Sequence, residues 1–261
     1  MGFSPITGST DTAMHTDAQG LRHGLVSMPV ADGQLPAYYA APADRARPPV
    51  ILVVQEIFGI HEHIQDICRR FAHAGYFAVA PDLYHRQGDP AACADIQAVL
   101  RDIVSRVSDE QVLADLDAAA RWAAAQGTDA TRLGVTGFCW GGRLTWMYAA
   151  HAPACKAGVA WYGKLAAGHS ALQTRHPVDI TAELKAPVLG LYGGKDESIP
   201  LADVSRMRDA LKRGNAMARA SRIEVYPEAG HGFYADYRPS YLERDAGHAW
   251  SQALDWFAAK L

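Results

Sequence analysis

Cysteine is scarce in this chain. The four residues Cys68, Cys93, Cys139 and Cys155 form no C-x-x-C pair and no zinc-ligand spacing. They fall in different kinds of segment, which argues against a disulfide framework and points to reduced thiols in a cytoplasmic setting. Long apolar runs are also missing, so no segment is expected to span a bilayer. The first thirty residues lack a basic start followed by an apolar stretch, so no signal peptide is expected. Lys and Arg are scattered and the formal net charge is only −3, which argues against a nucleic-acid partner and against an acidic disordered tail. No phosphate-cradling G-x-x-x-x-G-K-[ST] loop occurs. His61-Glu62-His63 has the look of a metal fragment, but two histidines at i and i+2 of a helix do not share a face. No metal and no cofactor are therefore expected. The expected partner is a small molecule, and the expected state a monomer or homodimer.

What is present is a sequence 49% hydrophobic over 261 residues, enough for one α/β domain with a core of its own. Residues 1–20 are polar and read as a loose N-terminal arm, leaving residues 21–261 as a single domain. Gly24–Val30 and Gln34–Ala41 read as extended runs joined at Asp32-Gly33, a hairpin signal. Pro49–Gln55 is a continuous branched apolar run, as in a buried parallel strand. Further strands are predicted at Tyr76–Ala80, Arg132–Thr136, Lys156–Tyr162, Pro187–Tyr192 and Arg222–Tyr226. Helices are predicted at His61–Ala74, Asp109–Ala125, Trp140–His151, Leu201–Arg213 and Tyr241–Leu261. This alternation implies a mostly parallel sheet with an antiparallel N-terminal edge hairpin and helices on both faces, with function at the carboxyl ends of the strands.

The chemistry centres on Gly137-Phe138-Cys139-Trp140-Gly141-Gly142, which joins a predicted strand to a predicted helix. It is a G-x-S-x-G nucleophile elbow with sulfur in place of oxygen. Such an elbow strains the nucleophile's backbone and aims helix N-terminal N–H groups at the reacting atom. In α/β-hydrolases the acid and the histidine follow the nucleophile in that order. Asp196, just beyond the Pro187–Tyr192 run, and His231, in a glycine-flanked loop after Arg222–Tyr226, fit the order and share the rim with Cys139. Glu197 offers a second carboxylate beside Asp196. The histidine would carry the proton and the carboxylate would orient it.

With these residues in view, the chain resembles the dienelactone hydrolase family of α/β-hydrolases. The likeness rests on Gln55-Glu56-Ile57-Phe58-Gly59, Pro81-Asp82-Leu83-Tyr84-His85-Arg86, the Cys139 elbow, Gly193-Gly194-Lys195-Asp196 and Gly230-His231-Gly232-Phe233. It implies a triad of Cys139, Asp196 and His231. It further implies that Glu56 contacts the resting thiol of Cys139 and takes its proton once substrate binds. The backbone N–H groups of Ile57 and Trp140 would form the oxyanion hole. Arg86 matches a family arginine that binds the substrate carboxylate, and Tyr162 a pocket position. Phe58, Tyr84, Phe233 and Tyr234 would add an aromatic wall at the same rim.

One position departs from the family pattern. A second carboxylate-binding arginine is expected four residues after the histidine, where this chain has Ala235. Arg238, three residues further, takes its place only if the loop bends back. The resemblance implies a hydrolase that opens a lactone or activated ester through a cysteine acyl-enzyme. Two alternatives stand beside it: a hydrolase of neutral esters or thioesters, and a non-catalytic ligand-binding member of the fold.

Overall fold

The computed structural model describes residues 12–261. Eight strands form one sheet in the order β1-β2-β4-β3-β5-β6-β7-β8. The edge hairpin pairs β1 (Leu21–Val30) with β2 (Gly33–Pro42), antiparallel, around Ala31-Asp32. Strand β2 also runs antiparallel to β4 (Phe77–Pro81). From β4 onward the neighbours are parallel: β3 (Pro49–Val54), β5 (Asp129–Phe138), β6 (Cys155–Trp161), β7 (Val188–Gly193) and β8 (Arg222–Tyr226). Every residue of β3, β4 and β7 is buried, as their unbroken apolar runs predict for strands covered on both sides.

Helices cover both faces. Successive side chains of a strand point to opposite faces, so positions 134 and 137 of β5 face opposite ways. A side chain at Gly134 would meet Phe257 of α7 (Glu243–Ala258), whereas one at Gly137 would meet Thr145 of α4 (Trp140–His151). Helix α7 packs beside α1 (Glu62–His73), with the rings of Phe71 and Trp250 4.6 Å apart. Helix α4 packs beside α3 (Asp109–Ala124), where the fully buried Arg143 forms a two-pronged ion pair with Asp109 at 2.6 and 2.7 Å.

Helices α4 and α5 (Leu201–Arg213) have the predicted bounds. Strand β5 runs longer than Arg132–Thr136 at both ends, because its pairing with β3 and β6 carries it to Phe138 at the elbow. Two short helices were not predicted: α2 (Ile96–Asp102), capped by the Asp95 side chain, and α6 (Ala216–Arg219), capped by Asn215.

The arm also needs correcting. Its residues 1–11 lie outside the described part, but from Thr12 onward the segment is tied down rather than loose. The Thr16 N–H donates to Asp66 at 2.6 Å, and the Thr16 carbonyl accepts from Arg69 at 2.9 Å. Thr12 donates to the Asp236 carbonyl at 2.6 Å. Among the described residues no helix is long and apolar enough to cross a membrane, and none of the four cysteines is in a disulfide.

Candidate active site

Parallel strands end together, and here their carboxyl ends deliver one side chain after another to a single rim. Glu56 follows β3, Cys139 follows β5, Tyr162 follows β6, Asp196 follows β7 and His231 follows β8. At the elbow the backbone is forced into the left-handed region, with φ of 55° at Cys139. The Cys139 N–H holds this turn by donating to the Trp161 carbonyl at 3.0 Å. Glycine is required beside it: a Cβ at Gly141 would lie 2.4 Å from the Val54 carbonyl oxygen, and one at Gly137 2.2 Å from the Gly141 carbonyl oxygen. Tyr162, whose φ is 37°, is held by its own N–H on the Leu191 carbonyl at 2.8 Å.

The elbow sulfur lies 3.1 Å from His231 Nε2, and His231 Nδ1 lies 2.8 Å from Asp196 Oδ2. Glu197, the alternative acid, is not part of this chain of contacts. Ser198, not foreseen from sequence, donates from its hydroxyl to Asp196 at 2.6 Å and lies 3.1 Å from His231 Nδ1. Burial works against a charged His231, yet the Cys139 sulfur and the Asp196 carboxylate outweigh it and raise the imidazole to about 10. Burial also opposes ionisation of Asp196, but His231 and Ser198 prevail and hold it below the ordinary carboxylate value.

Cys139, His231 and Ser198 line a cavity of about 270 Å³, just below the size of most small-molecule sites, roughly 300–1,000 Å³. Its wall includes Glu56, Ile57, Phe58, Cys139, Tyr162 and His231, all singled out in the sequence, and Ile96 and Leu100 of the unpredicted α2. Neither the Ile57 nor the Trp140 N–H donates to an acceptor among the described residues. Lys164, His169 and Arg238 complete the wall. Arg238 reaches it because the chain after His231 coils through consecutive turns, starting at Gly232 with φ of 73°. Its guanidinium carbon stands 5.8 Å from the centre of the Phe58 ring.

Four expected pocket residues lie elsewhere. Arg86 is held in two-pronged contacts by Asp32 at 2.6 and 2.7 Å and by Asp115 at 2.8 and 3.0 Å. Its donors are thus spent on bracing the hairpin turn to α3, and it does not line the cavity. Tyr84 is fully buried against Trp140, ring centres 4.8 Å apart, and Phe233 is fully buried between Tyr162 and Tyr226. Both support the rim from beneath instead of facing the cavity. Tyr234 is likewise buried, 4.4 Å from Trp161.

Glu56 differs too. The implied contact with the resting thiol is not made, since the sulfur is engaged by His231. The Glu56 Oε2 instead accepts a hydrogen bond from the Tyr237 hydroxyl at 2.6 Å and lies 3.5 Å from His61 Nε2, while Oε1 has no hydrogen-bond partner among the described residues. His61 and His63 do point the same way, with near-parallel rings 6.0 Å apart, because His61 is the N-cap and stands outside the helix. Burial disfavours the Glu56 anion, but His61, His63 and Tyr237 together bring its carboxyl down to about 2.

The strand order, the elbow and the rim of side chains at the carboxyl ends define an α/β-hydrolase. The chain belongs to the dienelactone hydrolase family, whose model matches residues 35–261. A Methylorubrum extorquens protein called "Putative carboxymethylenebutenolidase" is 54% identical over 258 residues, covering 98% of this chain and 87% of that protein. One of the same name from Salmonella typhimurium is 54% identical over 259 residues, covering 98% and 95%. A crystal structure of a dienelactone hydrolase candidate from Klebsiella pneumoniae superposes with a TM-score of 0.88 at 55% identity, covering 91% of this chain and 98% of that one. The protein is thus a hydrolase of the dienelactone hydrolase type.

Proposed function

We propose that the protein opens a small lactone or activated ester through an acyl-enzyme on Cys139. The observation that carries this is the unbroken contact chain Asp196–His231–Cys139, at 2.8 and 3.1 Å, opening into a cavity. In the reaction the thiol proton has already passed to His231 when the sulfur attacks the carbonyl carbon, and Asp196 steadies the imidazolium. The N–H groups of Ile57 and Trp140, free of other acceptors, receive the developing oxyanion; each such donor is worth about 10²–10³ in rate. The C–O bond then breaks, and His231 returns the proton to the departing alkoxide. Water, deprotonated by His231, releases the acid and restores the thiol.

A carboxylate-bearing lactone suits the cavity better than a neutral ester. Arg238 and Lys164 line it with cationic groups, and among the described residues neither is paired with an acid. Arg238 thereby takes the place of the family arginine missing at Ala235, and it takes over the role first expected of Arg86. The test is a panel of anionic and neutral lactones and aryl esters, assayed with the native enzyme and Cys139→Ala. The native enzyme is expected to favour the anionic lactones, with turnover falling at least a thousandfold in the variant. Turnover unchanged in Cys139→Ala sinks the mechanism, and a preference for neutral esters moves the substrate to the second class.

A further inference from the structure

Glu56 is almost completely buried, only 1% exposed, in the wall of the cavity that holds Cys139. Its Oε2 is the engaged oxygen, and Oε1 has no hydrogen-bond partner among the described residues. Tyr237 donates to Oε2 at 2.6 Å and His61 stands 3.5 Å from the same atom. These two are themselves fixed. The His61 ring meets the edge of Tyr237, ring centres 5.1 Å apart, and the His63 ring lies equally close to Tyr237. His63 Nδ1 is 3.2 Å from Asp236, whose other oxygen is paired with Arg70 of α1. The N-terminus of α1 and the loop after β8 thus grip the Glu56 carboxylate from two sides. The other groups facing Glu56 and the sulfur are Tyr162 at the end of β6, Lys164 and His169 beyond it, and Arg238.

We propose that Tyr237 and His61 latch Glu56 through Oε2 and hold it away from the sulfur, so that Cys139 rests against His231 and is reactive before any substrate binds. A buried carboxylate with both oxygens free would seek a donor, and Cys139 in the wall of the same cavity offers one in its thiol hydrogen. With Oε2 satisfied, that pull is reduced, and the S–H is left to His231. Tyr237 and His61 are positioning residues: they act on the nucleophile only through Glu56. The inference rests on the reading of Cys139 as nucleophile, but it is tested without turnover.

The experiment is the rate of alkylation of the substrate-free enzyme by iodoacetamide, followed by peptide mass at Cys139 across pH 5–9. Alkylation forms the S–C bond, expels iodide and leaves the thiol proton on His231. The native enzyme is expected to react rapidly at neutral pH. Tyr237→Phe keeps the ring but removes the donor, and alkylation should slow at least fivefold with its pH profile displaced upward. His61→Asn should act in the same direction. Adding Glu56→Gln to Tyr237→Phe removes the competing carboxylate and should restore the native rate. Two results overturn the latch: Tyr237→Phe alkylating at the native rate and profile, or slowing that persists in the double variant, which would mark Tyr237 as a packing residue. An enzyme that shows the predicted alkylation series yet hydrolyses no ester or lactone keeps the latch and loses the proposed function.

Discussion

At the scale of single residues, position along the chain singled out Cys139, Asp196 and His231, because each follows a parallel strand and those strands end on one rim, where the three side chains meet. It could not reveal what each charged residue holds. Arg86 sits in a motif shared with substrate binders, but its partners Asp32 and Asp115 are 54 and 29 residues away, and only the fold brings them to it. The same blindness hid the grip on Glu56, since Tyr237 is 181 residues distant. The two arginines give a direct contrast. Arg238→Ala should raise KM for an anionic lactone about tenfold and leave neutral esters nearly unaffected. Arg86→Ala should leave both KM values near native while lowering stability by about 1–3 kcal/mol, because the buried Asp115 loses its partner. Paired steady-state assays and urea titrations on the two variants separate these roles.

Among the elements, the strongly periodic or wholly apolar segments were legible and the short ones were not. Helix α2 has seven residues with only Ala98 and Val99 buried, so its pattern is too brief to register. Its cap, Asp95, was the available signal. That omission mattered, because Ile96 and Leu100 supply part of the cavity wall. The junction of β3, β5 and α4 was better specified, since the glycines that permit close approach stand in the motif itself. Gly141→Ala would press a methyl group to within 2.4 Å of the Val54 carbonyl and 2.6 Å of the Gln55 carbonyl, both backbone atoms that cannot swing aside. Because overpacking a tight interior costs roughly 1–3 kcal/mol even where side chains can yield, this variant should lose at least about 3 kcal/mol. The urea midpoint, compared with the exposed control Gly247→Ala, measures it.

For the whole molecule, the site's charges couple activity to folding. Glu56 has its carboxyl drawn from 4.5 down to about 2, and Asp196 and Asp236 are also held below their ordinary value. Depressed carboxyls stabilise the fold above their unfolded values and lose that contribution as pH falls toward the folded ones. Stability should therefore drop between about pH 4.5 and pH 2, with Glu56 alone accounting for about 3 kcal/mol at roughly 1.4 kcal/mol per pH unit. Glu56→Gln should flatten that acid limb in thermal unfolding followed at half-unit pH steps, whereas an unaltered limb would place the acid sensitivity elsewhere. From Thr12 onward the arm is bonded to Asp66, Arg69 and the backbone of Asp236, whose carboxylate lies 3.2 Å from His63.

The central claim is that Cys139 carries the acyl group. Rapid acid quench of the enzyme with an activated ester, followed by peptide mass analysis, addresses it most directly. The predicted result is an acyl adduct confined to the peptide bearing Cys139 and absent from Cys139→Ala. Turnover with no adduct at Cys139, or with the acyl group on Ser198 instead, would contradict the account.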